Sequence, residues 1–375
     1  MFWDVRAIMR IDVKSLPILF FLMLSSLLII ASASSEIGAE TFFTPLVKSQ
    51  LRWFVIGIGV YLFFAGLNYH QLRKWTWVLY GGMILMLVGL FFTNPIQNVH
   101  RWYRIPFLPI AIQPSEFAKL IVVIALSAFL EMKSKARRDW RIIFQGGVLV
   151  GIPFLLILKQ PDLGSALILF PITLVMFYFG DVNRRVITWM GIGGLALLSF
   201  VVLMLLGVLK HDEIRPYATK VIKEYQYERL NPDNYHQNAA QTAIALGKIT
   251  GSGWKKSEYT SQHWLPFAYT DSVFPAFTEE FGLLGGLLML LCYYFLIYMS
   301  FKITAVAKDY FGRVLAAGIS VYIAIHVIIN VGMMCGLLPI TGVPLLLVTS
   351  GGSSVIASMM ALGILQSIYT RRFMF

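Results

Sequence analysis

Long apolar runs recur along this chain with hardly a charge inside them, at roughly 16–34, 51–67, 76–92, 114–131, 142–158, 163–180, 186–209, 275–301, 312–335 and 341–369. A helix needs about 20 mostly apolar residues to cross the hydrocarbon core of a bilayer. The runs are continuous rather than alternating, which excludes a membrane barrel. The expectation is an all-α polytopic membrane protein of about ten transmembrane helices, forming one integral membrane domain over residues 1–375. With 58% hydrophobic and only 13% charged residues, the chain carries more apolar surface than a soluble fold can hide. The first run follows a mildly basic Met1–Lys14 and has no small-residue cleavage signature, so it reads as a first membrane helix rather than a removed signal peptide.

The net charge of +12 would point to nucleic acid in a soluble protein. Here the basic residues collect in short loops between apolar runs, and no basic helix interleaved with aromatics is present. Alternate loops hold Arg6, Arg10 and Lys14; Arg73 and Lys74; Lys133, Lys135, Arg137, Arg138 and Arg141; Arg184 and Arg185; Lys302, Lys308 and Arg313; and Arg371 and Arg372. The short loops of the opposite side hold only Lys48, Arg52, Arg101, Arg104 and Lys159. The positive-inside rule then places both termini in the cytoplasm. One loop is long: residues 210–274, on the outer side between the seventh and eighth runs. Long translocated loops are usually functional. Cys292 and Cys335 lie inside apolar runs, with neither disulfide nor metal spacing.

Polar residues at membrane depth are costly and point to function. Four clusters fall on the outer side. In the first, His100-Arg101-Trp102-Tyr103-Arg104 precedes Gln113-Pro114-Ser115-Glu116, with Lys119 one turn on. Glu116 and Lys119 share a helix face, so they form either an internal ion pair or, with Arg101, part of an anion site. The second is Lys159-Gln160-Pro161-Asp162-Leu163-Gly164, a tight turn whose Asp162 suits a helix cap. The third ends the long loop: Thr270-Asp271, then Glu279 and Glu280. Asp271 is either an N-cap or a reactive carboxylate, and the two glutamates suit the first turns of a helix. The fourth runs from Asn330 through Pro339, Gly342 and Pro344 to Thr349-Ser350-Gly351-Gly352-Ser353, where helix breakers at membrane depth imply a backbone that lines a cavity. The candidate substrate contacts are Arg101, Trp102, Gln113, Ser115, Glu116, Lys119, Gln160 and Asp162. Cations, an exposed carboxylate and a polar loop at a membrane surface suit an amphiphilic anion whose tail stays in lipid, such as a lipid-linked phosphate.

Gln113-Pro114-Ser115-Glu116 with Lys119, Gln160-Pro161-Asp162-Leu163-Gly164, Thr270-Asp271 before Glu279-Glu280-Phe281-Gly282, and Gly332-Met333 through Gly351-Gly352-Ser353 together resemble the SEDS family of shape, elongation, division and sporulation proteins, over about residues 15–370. The resemblance implies a peptidoglycan glycosyltransferase of RodA or FtsW type in the bacterial cytoplasmic (inner) membrane, polymerising lipid II on its outer face and releasing undecaprenyl pyrophosphate. It assigns the catalytic role to Asp271, as general base or as organiser of the attacking hydroxyl with a divalent cation, Mg2+ or Mn2+. It implies no covalently bound cofactor. The implied partners are lipid II and undecaprenyl-linked glycan, a class B penicillin-binding protein, rod-shape or division scaffold proteins and membrane lipids, with no nucleic acid. The short tails read toward the elongation type. The family commonly has a glutamate where Phe267 stands, a tyrosine where Ser350 stands, and a glycine cluster where Ala245-Leu246-Gly247-Lys248 stands. Three alternatives stay open: a flippase for lipid-linked precursors, a division-type polymerase, and a non-catalytic activator of a penicillin-binding protein.

Overall fold

The computed structural model describes residues 3–34, 42–93, 99–104, 111–135, 139–209, 211–219, 224–231 and 234–372. Arg137 and Arg138, counted above among the basic residues, lie outside them.

The apolar runs fold as helices: α1 (Ser15–Ala33), α2 (Pro45–Gly66), α3 (His70–Gly89), α4 (Pro114–Met132), α5 (Trp140–Lys159), α6 (Leu163–Phe179), α7 (Arg184–Leu205), α8 (Val273–Val306), α9 (Tyr310–Met334) and α10 (Gly352–Thr370). Short polar residues start several of them. The side chains of Thr44, Asp139, Asp162, Asn183 and Asp309 each accept a first-turn backbone N–H, which satisfies donors a helix cannot pair internally. Among the described residues, eight helices are long and apolar enough to cross a membrane. The remaining two are α6, which is shorter, and α4, which carries Glu116, Lys119 and Glu131. The β-structure among the described residues is slight, chiefly a hairpin pairing Tyr103 with Ile112 and Arg104 with Ala111. The protein is a multi-pass, all-α membrane protein.

Burial sorts the helices. α4 is buried on every face from Pro114 to Leu130 except at Phe117 and Ile121. It therefore forms the centre of the bundle, as a helix without a polar stripe should. α9 and α10 are mostly buried beside it, whereas α7 has none of its central window buried and stands at the periphery. α2 and α10 pack closely: a Cβ on Gly363 would overlap the Tyr61 carbonyl, the close backbone approach that small residues allow between membrane helices.

The tenth span is shorter than its composition suggests. The run 341–369 becomes a helix only from Gly352, and the stretch before it is extended or turned. Pro339, Pro344 and the left-handed Gly342 and Leu347 break it. This stretch is buried in protein, where irregular backbone is tolerated if its polar groups are met. Asn330 Nδ2 donates to the Val343 carbonyl at 2.8 Å, Tyr293 Oη to that of Leu346 at 2.6 Å, and the Leu345 N–H donates to Thr349 Oγ1 at 2.8 Å.

The described part of the long loop is itself folded from Asn234 onward. Its helix Tyr235–Leu246 packs Ala239, Ala240 and Ala243 inward. Gln237 Nε2 donates to the carbonyls of Met333 and Leu338 at 3.0 and 2.9 Å, closing the end of α9. α8 breaks at Gly282, whose φ of 66° is outside the helical region. The loop fills the break. Ser252 and Gly253 donate to the carbonyls of Glu279 and Glu280 at 3.0 Å, and Leu283 and Leu284 donate to those of Lys248 and Ile249 at 2.9 and 3.2 Å. Gly251 lies so close that a Cβ there would overlap the Glu280 carbonyl.

Candidate active site

The N-terminal ends of α2, α4, α6, α8 and α10 converge on the side of the long loop. They surround a cavity of about 850 Å³, lined among others by Trp53, Gln113, Glu116, Asp162, Asp271 and Ser353. Helix N-termini carry partial positive charge and unpaired N–H groups, so five of them around one space favour an anion.

Asp271 sits one residue before the N-cap of α8, half-buried. Its position is fixed through the backbone. Asn330 Nδ2 donates to its carbonyl at 3.0 Å, Thr349 Oγ1 to that of Thr270 at 3.1 Å, and the Ser350 N–H to that of Tyr269 at 2.9 Å. The irregular stretch before α10 thus holds the aspartate from one side. The turn Phe267–Ser272 holds it from the other, with Thr270 N–H and Ser272 N–H both donating to the Phe267 carbonyl. The carboxylate does not cap α8, whose N-cap is Ser272. It lines the cavity instead. Burial pushes its pKa up to about 6, against the opposing pull of Arg229 and Arg101 and with a small further push from Asp162.

The arginines come from two loops. Arg101 donates Nε to the Gln160 carbonyl at 3.1 Å and Nη2 to that of Pro161, which fastens the α3–α4 loop to the α5–α6 turn. Trp102 lines the cavity beside it. Arg229 belongs to the long loop and places Nη1 3.4 Å from the Thr341 carbonyl. Arg229 escaped the sequence reading, because its segment has no periodicity to say which way it turns. Its Glu228-Arg229-Leu230 turn and the polar company of Tyr235-His236 were the available signals.

Asp162 caps α6 as expected and also lines the cavity. Its Oδ1 caps α6 by accepting from the Ser165 N–H at 3.2 Å. Its Oδ2 accepts from Ser115 Oγ at 2.9 Å and Gln113 Nε2 at 3.1 Å, tying α4 to α6 on the cavity wall. Gln160 does not line the cavity: it is buried and donates Nε2 to the Leu87 carbonyl at 2.7 Å.

Lys119 corrects the expectation of an anion contact. It is fully buried, with Nζ 2.7 Å from Glu116 Oε1, 2.8 Å from His326 Nε2 and 5.7 Å from the centre of the Tyr322 ring. The shared helix face predicted from the spacing exists, but it turns into the bundle and the ammonium does not reach the cavity. Glu116 does line the cavity, and its Oε2 has no hydrogen-bond partner among the described residues. Replacing Lys119 with methionine strands a buried carboxylate and is expected to cost about 3–5 kcal/mol, read as a lowered thermal midpoint of the detergent-solubilised protein. A double change, Lys119→Met with Glu116→Gln, should recover much of it.

Glu279 and Glu280 are not dipole acids. Glu279 accepts the Tyr259 and Thr260 N–H groups at 2.9 and 3.1 Å. Glu280 accepts Ser257 Oγ at 3.1 Å and the Ser32 hydroxyl of α1. Both pin the long loop down onto the bundle. Among the described residues no group of three or more His, Cys, Asp or Glu side chains comes together to hold a metal ion.

The family model for the FtsW, RodA and SpoVE cell cycle proteins matches residues 13–373. The chain is 30% identical over 385 residues to the peptidoglycan glycosyltransferase MrdB of Escherichia coli K12, covering 99% of this chain and 96% of that protein. It is 31% identical over 366 residues to the stage V sporulation protein E of Bacillus subtilis, covering 94% and 95%. Among solved structures it is similar to a chain of a peptidoglycan synthase complex, with TM-score 0.77 and 24% identity over 97% of this chain and 99% of that one. It is also similar to the rod shape determining protein RodA of Thermus thermophilus, with TM-score 0.69 and 23% identity over 97% and 98%. The likeness in fold extends over nearly the whole chain, and with the family match it shows that the chain belongs to the FtsW, RodA and SpoVE family of cell cycle proteins.

Proposed function

We propose that this protein is a peptidoglycan glycosyltransferase that polymerises lipid II into glycan strands at the outer face of the bacterial inner membrane, with both termini cytoplasmic, during cell elongation. The observation that carries the reading is Asp271: a half-buried carboxylate on the wall of a large cavity, flanked by Arg101 and Arg229, at the loop end of a membrane bundle. The names of its relatives support the same chemistry.

In the reaction, the 4-hydroxyl of one sugar attacks the anomeric carbon of another. The hydroxyl proton passes to the Asp271 carboxylate, the new glycosidic C–O bond forms, and the bond from that carbon to the pyrophosphate breaks. Undecaprenyl pyrophosphate leaves with the electron pair. A pKa of about 6 makes Asp271 a base that is ionised at neutral pH yet strong enough to take the proton. Negative charge grows on the departing pyrophosphate, and Arg101, Arg229 and the helix N-termini are the groups placed to meet it. Gln113, Trp102 and Glu116 line the rest of the cavity, and Ser115 lies buried behind them. Asp162 and Gln160 hold Gln113, Ser115 and Arg101 in place. Lys119 acts only through Glu116.

Among the described residues, the donor set around Asp271 offers no protein cage for a divalent cation. Asp271 is the residue that would hold a Mg2+ or Mn2+ ion, which would supply positive charge against the phosphates of the substrate. A class B penicillin-binding protein that crosslinks the new strands is the expected partner, with a rod-shape scaffold beside it.

The test is strand formation from lipid II by the purified protein with its cognate penicillin-binding protein, scored by gel across pH and in EDTA or added Mg2+. Because Asp271 must be unprotonated to act, the rate should fall about tenfold for each pH unit below about 6. Movement of lipid II across a proteoliposome bilayer with no polymer formed would overturn the reading in favour of a flippase.

A further inference from the structure

Resting on the polymerase reading, we infer that Phe267 and His236 form a sugar-stacking subsite beside Asp271, taking the apolar face of a hexopyranose ring. Phe267 is 62% exposed and lines the cavity that contains Asp271. Its backbone is left-handed, with φ of 53°. For a non-glycine residue this is a strained setting that persists only when the surroundings enforce it. They do so here through its carbonyl, which accepts from Thr270 N–H at 3.0 Å, Ser272 N–H at 3.1 Å and Thr270 Oγ1 at 3.3 Å. The strain therefore serves to present the ring at the rim while the same turn places Asp271.

His236 steadies the arrangement. It is half-buried and lines the cavity, with its ring centre 5.6 Å from that of Phe267 and Nε2 2.7 Å from Ser272 Oγ. The other ring nitrogen has no protein hydrogen-bond partner among the described residues. Ile340, Gly342 and Pro344 also line the cavity, but Asn234, Thr270 and Asp271, next to His236 and Phe267 in the chain, are polar. A lipid tail would bury itself away from such groups. A pyranose offers what fits them: one face of C–H groups for the electron-rich face of the ring, and an edge of hydroxyls for the imidazole and Asp271. The subsite belongs to the sugar whose hydroxyl Asp271 deprotonates, because the turn that holds Phe267 is the turn that holds the aspartate.

The experiment is saturation-transfer NMR on the detergent-solubilised full chain with the lipid-free GlcNAc–MurNAc disaccharide as probe, which needs no turnover. Wild-type protein should transfer saturation to the sugar ring C–H protons. Phe267→Leu, still apolar but without a π face, should lose most of that transfer, and Phe267→Tyr should keep it. In the polymerisation assay the same Phe267→Leu change should raise KM for lipid II about tenfold with kcat within about threefold, the pattern of lost binding rather than lost chemistry. Equal transfer in wild type and Phe267→Leu, or none in wild type, would overturn the subsite whether or not strands are made. If Phe267→Leu fails to fold, His236→Ala, which leaves the Phe267 ring and the bonds to its carbonyl in the chain, must show the same loss for the subsite to stand. Absence of strands from wild type, with transfer intact, would count against the polymerase reading alone.

Discussion

Replacing Asp271 with asparagine is expected to remove strand synthesis and make the protein more heat-stable. The first effect follows from its role as base: asparagine cannot accept the proton, and loss of a positioned general base costs about 10²–10⁴ in rate. The second follows from linkage. Burial raises the Asp271 pKa to about 6, above its ordinary value. A carboxyl so shifted favours folding only while protonated. Its contribution is fully present at low pH and is lost as pH rises through about 6. At neutral pH the fold therefore carries an ionised, partly desolvated carboxylate at a cost on the order of 2–3 kcal/mol. Asparagine removes that cost, so its thermal midpoint at pH 7.5 should exceed that of wild type, and the two should converge at pH 4. Wild-type strand yields from Asp271→Asn would refute the assignment. Lost synthesis with a lowered midpoint would point instead to a structural role.

Replacing Arg229 with alanine should lower the polymerisation rate about 10²–10³-fold, the loss typical of one charged group aimed at a developing anion. Arg229→Lys should recover only part, because an ammonium cannot offer two parallel donors to a phosphate. A second consequence separates this role from simple loop anchoring. Arg229 is the largest influence holding the Asp271 pKa down. Without it that pKa rises, and the acidic limb of the pH–rate profile should move to higher pH. An unchanged limb with a normal rate would show that Arg229 only anchors its loop.

What the chain discloses before folding differs by the kind of pattern involved. The helices were legible because lipid demands a long apolar run and nothing else satisfies it. Asp271 stands out in the sequence as a carboxylate between a polar loop and an apolar run, its place on a cavity wall comes from the fold, and its catalytic role is what the family resemblance implies. Lys119 was misplaced for a definite reason. Spacing of three fixes which residues share a helix face, but not where that face points, and α4 turned out to be buried nearly all round. Residues 341–351 read as part of the last helix because their apolar composition outweighs Pro344 and Gly342. Arg229 was missed because its place in the cavity is set by loop packing, which leaves no periodic trace. Glu279 and Glu280 showed their charge but not their partners, Thr260 and Ser257, about twenty residues back in the loop.

The seam between the long loop and the break in α8 also bears on how this protein can change over generations. Its bonds run from main chain to main chain except for Ser252 Oγ, which donates to the Glu279 carbonyl at 3.0 Å, so the side chains of Lys248 and Ile249 can drift without loosening it. Length is another matter. One residue inserted or deleted between Lys248 and Gly253, or next to Gly282, would put every donor out of step with its acceptor, a frame error that no compensating side chain repairs. Sequence diversity among descendants of this chain should therefore accumulate as substitutions along the seam, with gaps pushed outward to the segment before Asn234.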